Sequence, residues 1–185
     1  MSYQTACCKI LDELRAACGA VNPDEVEKLA QAVMQADKVF LMGVGRVLIS
    51  LMAFCKRLNH LGIPACCVGE LNEPAATDAD LLIVGSGSGE TACPLQIARI
   101  AKNHGAKVAH IGSNPNSSMR QYADLFVRIP VKTKLNLPGE LPSDQIMSSL
   151  FEQSLYVLCD SVCLMIAEAK QLSLPELWRF HANLE

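Results

Sequence analysis

The sequence predicts an α/β protein in which helices cover both faces of a five-stranded parallel sheet, giving a three-layer αβα sandwich. Two observations lead to this fold class. Five short apolar segments alternate with segments whose apolar residues recur at helical spacing, and glycines follow several of the apolar segments. The chain also has 185 residues, of which 50% are hydrophobic and 19% are charged. A chain of this size and composition buries its own core, so we expect a compact globular protein.

Two amphipathic helices are predicted before the first strand. The first covers residues 4–19, where Leu14 and other apolar residues share one face. The second begins after Asn22, with Pro23 at its first helical position and acids in its first turn. It ends near residue 35. A minimal α/β sheet does not require these helices, so they pack either on the sheet or on a second subunit.

The rest of the chain alternates strands and helices. Predicted strands cover 38–42, 64–68, 81–84, 107–111 and 124–130, and predicted helices cover 47–60, 92–104, a short segment that ends at 123, and 148–170. Such alternation implies parallel strands joined by right-handed crossovers. The expected strand order is flavodoxin-like, 2-1-3-4-5, and ligands are then expected at the carboxyl ends of the strands.

We expect residues 1–185 to form one domain, with N-terminal helices (1–36), a core (37–170) and a C-terminal tail (171–185). Within the core, the helix predicted over 148–170 is apolar on nearly all sides. A helix of this kind is buried, so we expect its own sheet and a partner chain to cover it. The segment before it, 132–145, is long and has no clear period, as is typical of functional or mobile loops.

Composition and charge exclude several function classes. The formal net charge of -3 gives no general attraction for nucleic acid or for an anionic membrane. No apolar run reaches the roughly 18 residues of a membrane-spanning helix. The N-terminus has no basic segment that leads into an apolar one, as a secretory signal has. We therefore expect a cytoplasmic protein that binds neither nucleic acid nor membrane.

Nine cysteines raise the question of disulfides or of metal. No C-x-x-C pair occurs, nor any Cys/His cluster with zinc-finger spacing. Most of the cysteines lie inside predicted helices or strands, where a free cysteine behaves as a small apolar residue. Cys159 and Cys163 lie one helical turn apart, so half of a metal site there is the alternative. We expect reduced cysteines and no metal.

A glycine-serine loop, residues 85–91, separates the uncharged strand at 81–84 from a helix. Its glycines allow a tight turn and a close approach to a ligand. Ser86, Ser88 and Thr91 add hydroxyl groups, and the helix behind them adds free backbone amides and a positive dipole end. The loop therefore predicts a site for a phosphate group. The alternative is a flexible turn with a helix cap.

A second glycine loop, Gly43-Val44-Gly45-Arg46, opens like a dinucleotide-binding fingerprint. The third glycine of that motif is missing, because Leu48 stands in its place. The loop follows a neighbouring strand, so Gly45 and Arg46 are instead expected to face the same pocket as the glycine-serine loop.

Taken together, the motifs resemble the 6-phospho-3-hexuloisomerase family of sugar isomerase (SIS) domain proteins. The resemblance covers nearly the whole chain, and its most specific motif is the C-terminal one. The motifs that carry it are Gly43-x-Gly45-Arg46, Gly69-Glu70, Gly85-Ser86-Gly87-Ser88-Gly89-Glu90-Thr91, Ser113-Asn114-Pro115, Leu150-Phe151-Glu152 and His181-Ala182-Asn183-Leu184-Glu185.

The resemblance implies a homotetramer (a dimer of dimers) with sites at subunit interfaces and without metal or organic cofactor. It implies the interconversion of D-arabino-3-hexulose 6-phosphate and fructose 6-phosphate through an enediol, usually within the ribulose monophosphate pathway. By the same likeness, Glu152 is the base and His181 of a neighbouring subunit opens the sugar ring or shuttles protons. The substrate-binding set is Ser86, Gly87, Ser88, Gly89 and Thr91 for the phosphate, with Gly45, Arg46 and Glu90.

These roles have structural alternatives. Glu152 lies where a carboxylate also stabilises a helix N-terminus, and His181 near the end of the chain is also a solvated side chain. Glu90 adjoins the proposed phosphate, so charge repulsion turns it towards its helix, a sugar hydroxyl or another subunit. Lys132 and Lys134 either close the long loop over the substrate or are solvated. No role is assigned to the remaining histidines, which are His60, His104 and His110.

One position departs from the family pattern, because Val47 stands where the family usually has a serine. Valine donates no hydrogen bond to a substrate, so the identity of the sugar phosphate is not determined by the resemblance. The leading hypothesis is a phosphosugar isomerase. The alternatives are an isomerase of another sugar phosphate and a non-catalytic regulator that binds one. The two short N-terminal helices carry few basic residues, which disfavours a DNA-binding regulator.

Overall fold

The computed structural model describes residues 1–181, 183 and 184. In chain order its elements are α1 (Tyr3–Gly19), α2 (Pro23–Gln35), β1 (Val39–Met42), α3 (Gly45–His60), β2 (Ala65–Cys67), β3 (Leu81–Gly85), α4 (Ala92–Asn103), β4 (Lys107–Gly112), a 3-10 helix (Ser118–Gln121), β5 (Leu125–Arg128), α5 (Ser149–Ala169) and α6 (Leu174–Trp178).

The five strands form one sheet in the order β2-β1-β3-β4-β5, and every neighbouring pair is parallel. In the register of the central strands, Leu41 pairs with Ile83 and Val84 pairs with His110. The predicted fold class and strand order are therefore confirmed. Since all strands run the same way, their carboxyl ends, and the loops that leave them, share one edge of the sheet.

Two hydrophobic layers flank the sheet, because successive strand residues point to opposite faces. Leu41 and Ile83 belong to the larger layer, which α1, α2, α3 and α5 cover. Phe40 and Leu82 belong to the smaller layer, which α4 and the 3-10 helix cover. Helices on both faces explain why β3 is buried along its whole length.

Helix α5 is the central helix of the larger layer and packs against α1, α2 and α3. By length and composition it could cross a membrane, since an 18-residue window has a mean hydropathy of 1.5. The expectation that no uninterrupted apolar run reaches about 18 residues is not contradicted, because charged residues such as Glu152 and Asp160 lie within the helix. Half of that window is buried inside the protein, and the core helix of a globular domain has the same composition. Its exposed apolar residues include Tyr156 and Leu164, so one side of α5 is left uncovered by this chain.

The C-terminal segment is more ordered than the predicted tail. Residues 174–178 form α6, whose first turn has a capping box between Ser173 and Glu176. The ring of Phe180 then packs over Gly62, just after α3. Ala182 and Glu185 of the C-terminal motif lie outside the described residues. The tail is thereby attached to the end of α3 that lies farthest from the carboxyl edge of the sheet.

All nine cysteines are free thiols, and five of them, Cys55, Cys66, Cys67, Cys159 and Cys163, are buried. Burial raises the pKa of the Cys163 thiol to about 12, so this thiol is protonated at neutral pH. Within the described part of the chain, no three His, Cys, Asp or Glu side chains form a group that would hold a metal ion.

Candidate active site

The loops after β1 and β3 meet at the carboxyl edge of the sheet, as the sequence predicted. Val47, in the first turn of α3, packs against both of them. A Cβ atom placed on Gly85 would lie 2.7 Å from Val47 Cγ1, and one placed on Gly43 would lie 3.2 Å from the same atom. The side chain at position 47 therefore lies under the start of the glycine-serine loop and presents methyl groups there.

The hydroxyl groups of the glycine-serine loop form a local network. Ser86 and Ser88 are buried, and Thr91 is the N-cap residue of α4. Ser86 Oγ lies 3.1 Å from Thr91 Oγ1 and accepts a hydrogen bond from the Gly89 amide at 3.1 Å. Ser88 Oγ accepts one from the Glu90 amide at 3.3 Å. The three hydroxyls predicted to bind phosphate are thus brought together in one short turn.

The backbone of this loop is oriented by the segment that follows β4. The carbonyls of four consecutive loop residues all accept hydrogen bonds. The His110 ring donates to Ser86, and the Ser113 and Asn114 amides donate to Gly87. The Asn114 side chain donates to Ser88, and the Met119 amide donates to Gly89. The amides of Gly87, Ser88 and Thr91, in contrast, donate to no acceptor among the described residues. An anion site requires backbone amides that can still donate a hydrogen bond. The loop offers such amides, while its carbonyls already accept hydrogen bonds from the protein.

At Gly89, both the backbone angle and the surrounding atoms require glycine. Its φ is +66°, in the left-handed region that favours glycine. A Cβ atom there would also lie 2.2 Å from Ser117 Oγ, well inside van der Waals contact. The tight turn predicted from the loop glycines therefore depends on glycine at this residue.

Glu90 points away from the loop amides. Its carboxylate accepts a hydrogen bond from the Ser118 amide at 2.7 Å. This bond holds the pKa of Glu90 below its usual value, and the charge of Lys134 lowers it further. Of the three alternatives for Glu90, the cap on its own helix is not formed, because the carboxylate binds the start of the 3-10 helix instead; contact with a sugar hydroxyl or another subunit stays a prediction.

The long segment 132–145 is folded against the glycine-serine loop. Glu140 anchors it, accepting hydrogen bonds from the hydroxyls of Ser113 at 2.8 Å and Thr133 at 3.3 Å. Thr133 Cγ2 lies 3.0 Å from the position of a Cβ on Gly87, so this segment covers one side of the loop. Closure of Lys132 or Lys134 over a substrate stays a prediction.

Glu152 lies in the first turn of α5, and its side chain is only 13% exposed. Arg46 Nε donates to Glu152 Oε2, and the Arg46 side chain is 66% exposed. Ser50 Oγ donates to the Glu152 carbonyl at 3.1 Å, which ties α3 to α5. The carboxylate is therefore bound by a guanidinium group in addition to its place at a helix N-terminus.

A cavity of about 350 Å³ adjoins this ion pair. Arg46, Ser50, Glu152 and Gln153 line one side, and apolar side chains of α1, α3 and α5 line the rest. No residue of the glycine-serine loop lines it. Gln153 Oε1 is buried and has no hydrogen-bond partner in the described part of the chain. Within one chain, then, this cavity adjoins the ion pair but not the loop.

His181 is not brought near Glu152 in this chain. Its ring stacks on His60, with centroids 5.0 Å apart, and lies 4.8 Å from the ring of Trp178. His60 is the last residue of α3, whereas Arg46 is in its first turn. At 1.5 Å per residue the two ends of α3 lie about 21 Å apart. His181 and Glu152 of one chain are therefore at opposite ends of the same helix.

The structure also places the histidines to which the sequence gave no role. His60 ends α3 and His104 follows α4, as expected. His110, on β4, is completely buried, and its Nε2 donates to the Ser86 carbonyl at 2.9 Å. This contact with the candidate site was missed. A histidine inside an otherwise apolar strand was the available signal, but the sequence does not reveal its partner.

Comparison with known proteins agrees with this fold. Residues 33–150 match the model of the SIS domain family. The 3-hexulose-6-phosphate isomerase of Bacillus subtilis (strain 168) is 37% identical over 177 residues, which are 96% of each chain. The protein of the same name from Mycobacterium gastri is 36% identical over 176 residues, which are 95% of this chain and 88% of that one.

A solved structure from Methanococcus jannaschii, for which a molecular function of 3-hexulose-6-phosphate isomerase was inferred, superposes with a TM-score of 0.83. It is 28% identical and covers 98% of this chain and 99% of its own. Family model, near full-length identity and fold all agree: the chain belongs to the SIS domain family and, within it, to the family of the 3-hexulose-6-phosphate isomerases.

Proposed function

We propose that this protein is a phosphosugar isomerase that interconverts D-arabino-3-hexulose 6-phosphate and fructose 6-phosphate. The observation that carries the proposal is the glycine-serine loop, whose carbonyls are bound to the protein while three of its amides are left without an acceptor in the described residues. Relatives that share this length and fold are named for the same reaction. The loop suits the phosphate group of such a substrate, and the carboxylate of Glu152 suits the proton transfer that the isomerisation requires.

In this proposal the loop holds the substrate and does not react. The Gly87, Ser88 and Thr91 amides and the hydroxyls of Ser86, Ser88 and Thr91 bind the phosphate oxygens. Charge-assisted hydrogen bonds of this kind are shorter and stronger than neutral ones. The N-terminus of α4 adds its dipole to the same anion. Gly45, Arg46 and Glu90 border the rest of the substrate, as the family resemblance implies.

The reaction moves a carbonyl group from C3 to C2 and needs no external oxidant. Glu152 takes the proton from C2, and the electron pair of that C–H bond forms the C2–C3 double bond of an enediol while O3 gains a proton. O2 then loses its proton to form the new carbonyl, and C3 receives a proton. Arg46 is largely exposed, so it is free to follow either the carboxylate or the substrate.

A coupled assay of fructose 6-phosphate formation tests the proposal. Wild-type protein is offered 3-hexulose 6-phosphate and several other ketose phosphates. Glu152→Gln keeps the size of the side chain but removes the base, so we expect kcat to fall by about 100-fold or more. Glu168→Gln, at an exposed site in the last turn of the same helix, is the matched control and is expected to keep wild-type activity.

Each failure of this assay has a distinct meaning. Wild-type kcat in Glu152→Gln would contradict the role of Glu152 but not the proposed isomerase activity. Turnover of another ketose phosphate alone would change the substrate. Absence of turnover with every sugar, together with thermal stabilisation by one of them, would replace the enzyme by a phosphosugar-binding regulator.

We further propose that the active protein is a homotetramer in which His181 of one subunit serves the site of another. Two features support this: about 21 Å of helix separates the two ends of α3, and apolar side chains, among them Ile49, Met52 and Leu164, are exposed on α3 and α5. Light scattering after gel filtration measures the assembly. A monomer with full activity would refute the shared site.

A mixing experiment tests the origin of His181 directly. Glu152→Gln and His181→Ala proteins are each expected to be nearly inactive. If the two residues of one site come from different subunits, then mixed and reassembled oligomers contain some sites with both natural side chains, and activity returns. If both residues come from the same subunit, no mixed site is complete, and activity stays low.

We also propose that residues 1–185 act as one domain, since α1 and α2 pack on α5. Free cysteines throughout the chain support a reducing compartment such as the cytoplasm. The ribulose monophosphate pathway is the setting that the family implies for such an isomerase. Fractionation of cells and growth of a deletion strain on a one-carbon substrate test the last two points.

A further inference from the structure

The conformation of the glycine-serine loop depends on the groups that bind its carbonyls. Backbone amides of the segment after β4 bind the carbonyls of Gly87 and Gly89. Side chains bind the other two: Asn114 Nδ2 donates to the Ser88 carbonyl at 3.3 Å, and His110 Nε2 donates to the Ser86 carbonyl at 2.9 Å. His110 thus makes the shorter of the two side-chain contacts, at the start of the turn.

The position of His110 leaves it little freedom. The ring is fully buried and packs against the ring of Phe126, with centroids 5.1 Å apart. Gly112 makes room for the contact, because a Cβ atom there would lie 2.4 Å from His110 Nε2 and 2.6 Å from the Ser86 carbonyl oxygen. Strand, ring and loop therefore fit together only with glycine at position 112.

The bond also fixes the chemical form of the ring. A carbonyl oxygen only accepts, so Nε2 carries the hydrogen. Nδ1 is then the unprotonated nitrogen, and it has no hydrogen-bond partner among the described residues. Burial lowers the pKa of His110 to about 4, so the ring is neutral at physiological pH. A buried polar ring with one unsatisfied nitrogen is less stable in a core than an apolar side chain.

Ser86 transmits this contact to the phosphate-binding groups. Its carbonyl also accepts from the Gly89 amide at 3.1 Å, which closes the turn. Its hydroxyl contacts Gly89 and Thr91. A shift of the Ser86 peptide would therefore rotate the Gly87 amide and move the Ser86 hydroxyl.

We propose that His110 is a positioning residue for the substrate phosphate: by donating to the Ser86 carbonyl, it holds the glycine-serine loop in the conformation that binds the anion. This inference rests on the proposed function of the loop. Its neighbours on β4, Val108, Ala109 and Ile111, are buried and apolar, so a strand in this place does not itself require a polar side chain. The hydrogen-bond donor at position 110 therefore acts on the loop, through the Ser86 carbonyl.

Two substitutions separate the hydrogen bond from packing. His110→Met fills the space without a donor, whereas His110→Gln offers an amide near the position of Nε2. We expect His110→Met to raise KM, and the Kd for inorganic phosphate, by about tenfold with kcat nearly unchanged, because binding is lost equally in the ground and transition states. His110→Gln is expected to restore most of the loss. His104→Gln, at an exposed histidine, is the control.

Hydrogen exchange gives a readout that does not depend on turnover. The Gly89 amide, which donates to Ser86, and the Ser113 amide, which donates to the Gly87 carbonyl, should exchange faster in His110→Met and near the wild-type rate in His110→Gln. Wild-type values of KM, phosphate affinity and loop exchange in His110→Met would overturn the inference, as would a His110→Gln protein no better than His110→Met. If His110→Met does not fold, nitrogen NMR of the wild-type ring decides, since a ring protonated only on Nδ1 excludes the donor.

Failure of the proposed function gives a different pattern. If wild-type protein binds inorganic phosphate and His110→Met binds it more weakly, the inference holds even when no ketose phosphate is turned over. If wild-type protein isomerises its substrate and His110→Met does so with unchanged KM, the inference alone fails.

Discussion

Acid should destabilise the folded protein through His110, and its surroundings determine the size of the effect. Burial lowers the pKa of this ring from its usual 6.5 to about 4. The hydrogen bond to Ser86 opposes that shift, while the positive charge of Arg120 adds to it. Protonation would place a second hydrogen on Nδ1, which has no acceptor in the described residues. The charged ring would keep its hydrogen bond to Ser86, but its second N–H would be buried without an acceptor among the described residues.

The sign and the pH range follow from linkage. Between pH 6.5 and pH 4 the unfolded chain binds a proton at His110 and the folded chain does not, so stability falls as the pH falls. The two pKa values differ by about 2.5, and one pKa unit corresponds to about 1.4 kcal/mol, which gives a loss of about 3 kcal/mol below pH 4. Burial also lowers the pKa of His60, which adds an effect of the same sign.

Carboxylates affect the stability of the fold at lower pH than the histidines do. Asp80 and Glu90 have pKa values below their usual 3.8 and 4.5. Their stabilising contribution is complete above those usual values and is lost as the pH falls through the folded-state values. The interval between pH 5 and pH 6.5 therefore reports mainly on buried histidines.

Urea unfolding followed by circular dichroism at pH 4.5, 5, 6 and 7, at one protein concentration, measures the effect. Wild-type protein should lose about 2 kcal/mol of unfolding free energy from His110 alone between pH 7 and pH 4.5. Glutamine does not titrate, so His110→Gln should lose that much less over the same range. His104→Gln should follow the wild type. Equal pH dependence in His110→Gln and wild type would refute the reasoning, since His60 is present in both.

Three further substitutions test the site. Ser88→Ala removes a donor to a charged phosphate, worth about 1.5–3 kcal/mol, so KM should rise about ten- to a hundredfold; an unchanged KM would remove Ser88 from the phosphate site. Gly89→Ala places a methyl group against Ser117 and at a left-handed φ, so both phosphate binding and thermal stability should fall. Retention of both would contradict the packing described. Val47→Ser should lower KM by up to about tenfold and reduce stability by about 1 kcal/mol, as measured by kinetics and urea unfolding; a higher KM would place the phosphate away from residue 47.

Much of the fold was predictable because its signals are local. An uncharged apolar run such as Leu81–Val84 indicates a strand buried on both faces, and proline after Asn22 marks the start of α2. The glycine-serine loop between β3 and α4 was predictable for the same reason. The helix predicted over 148–170 is present as α5, although its composition is equally typical of a membrane-spanning helix and of a core helix.

The site was less predictable because its contacts join distant positions. Arg46 and Glu152 are 106 residues apart in sequence, and only the packing of α3 on α5 makes them an ion pair. Glu90 and Ser118 are 28 residues apart, and so this contact was not among the alternatives that the sequence offered for the carboxylate. No periodicity or motif encodes such pairs.

Fold class, strand order and the loop that the proposed phosphate site uses follow from local sequence signals, because apolar period, turn residues and helix caps act over a few neighbouring residues. The groups that orient that loop, and the position of His181, depend instead on tertiary packing. Parallel pairing of β3 with β4 sets Val84 beside His110, and this register carries the imidazole to the Ser86 carbonyl 24 residues away in the chain. That contact depends on long-range packing, and local sequence does not specify it.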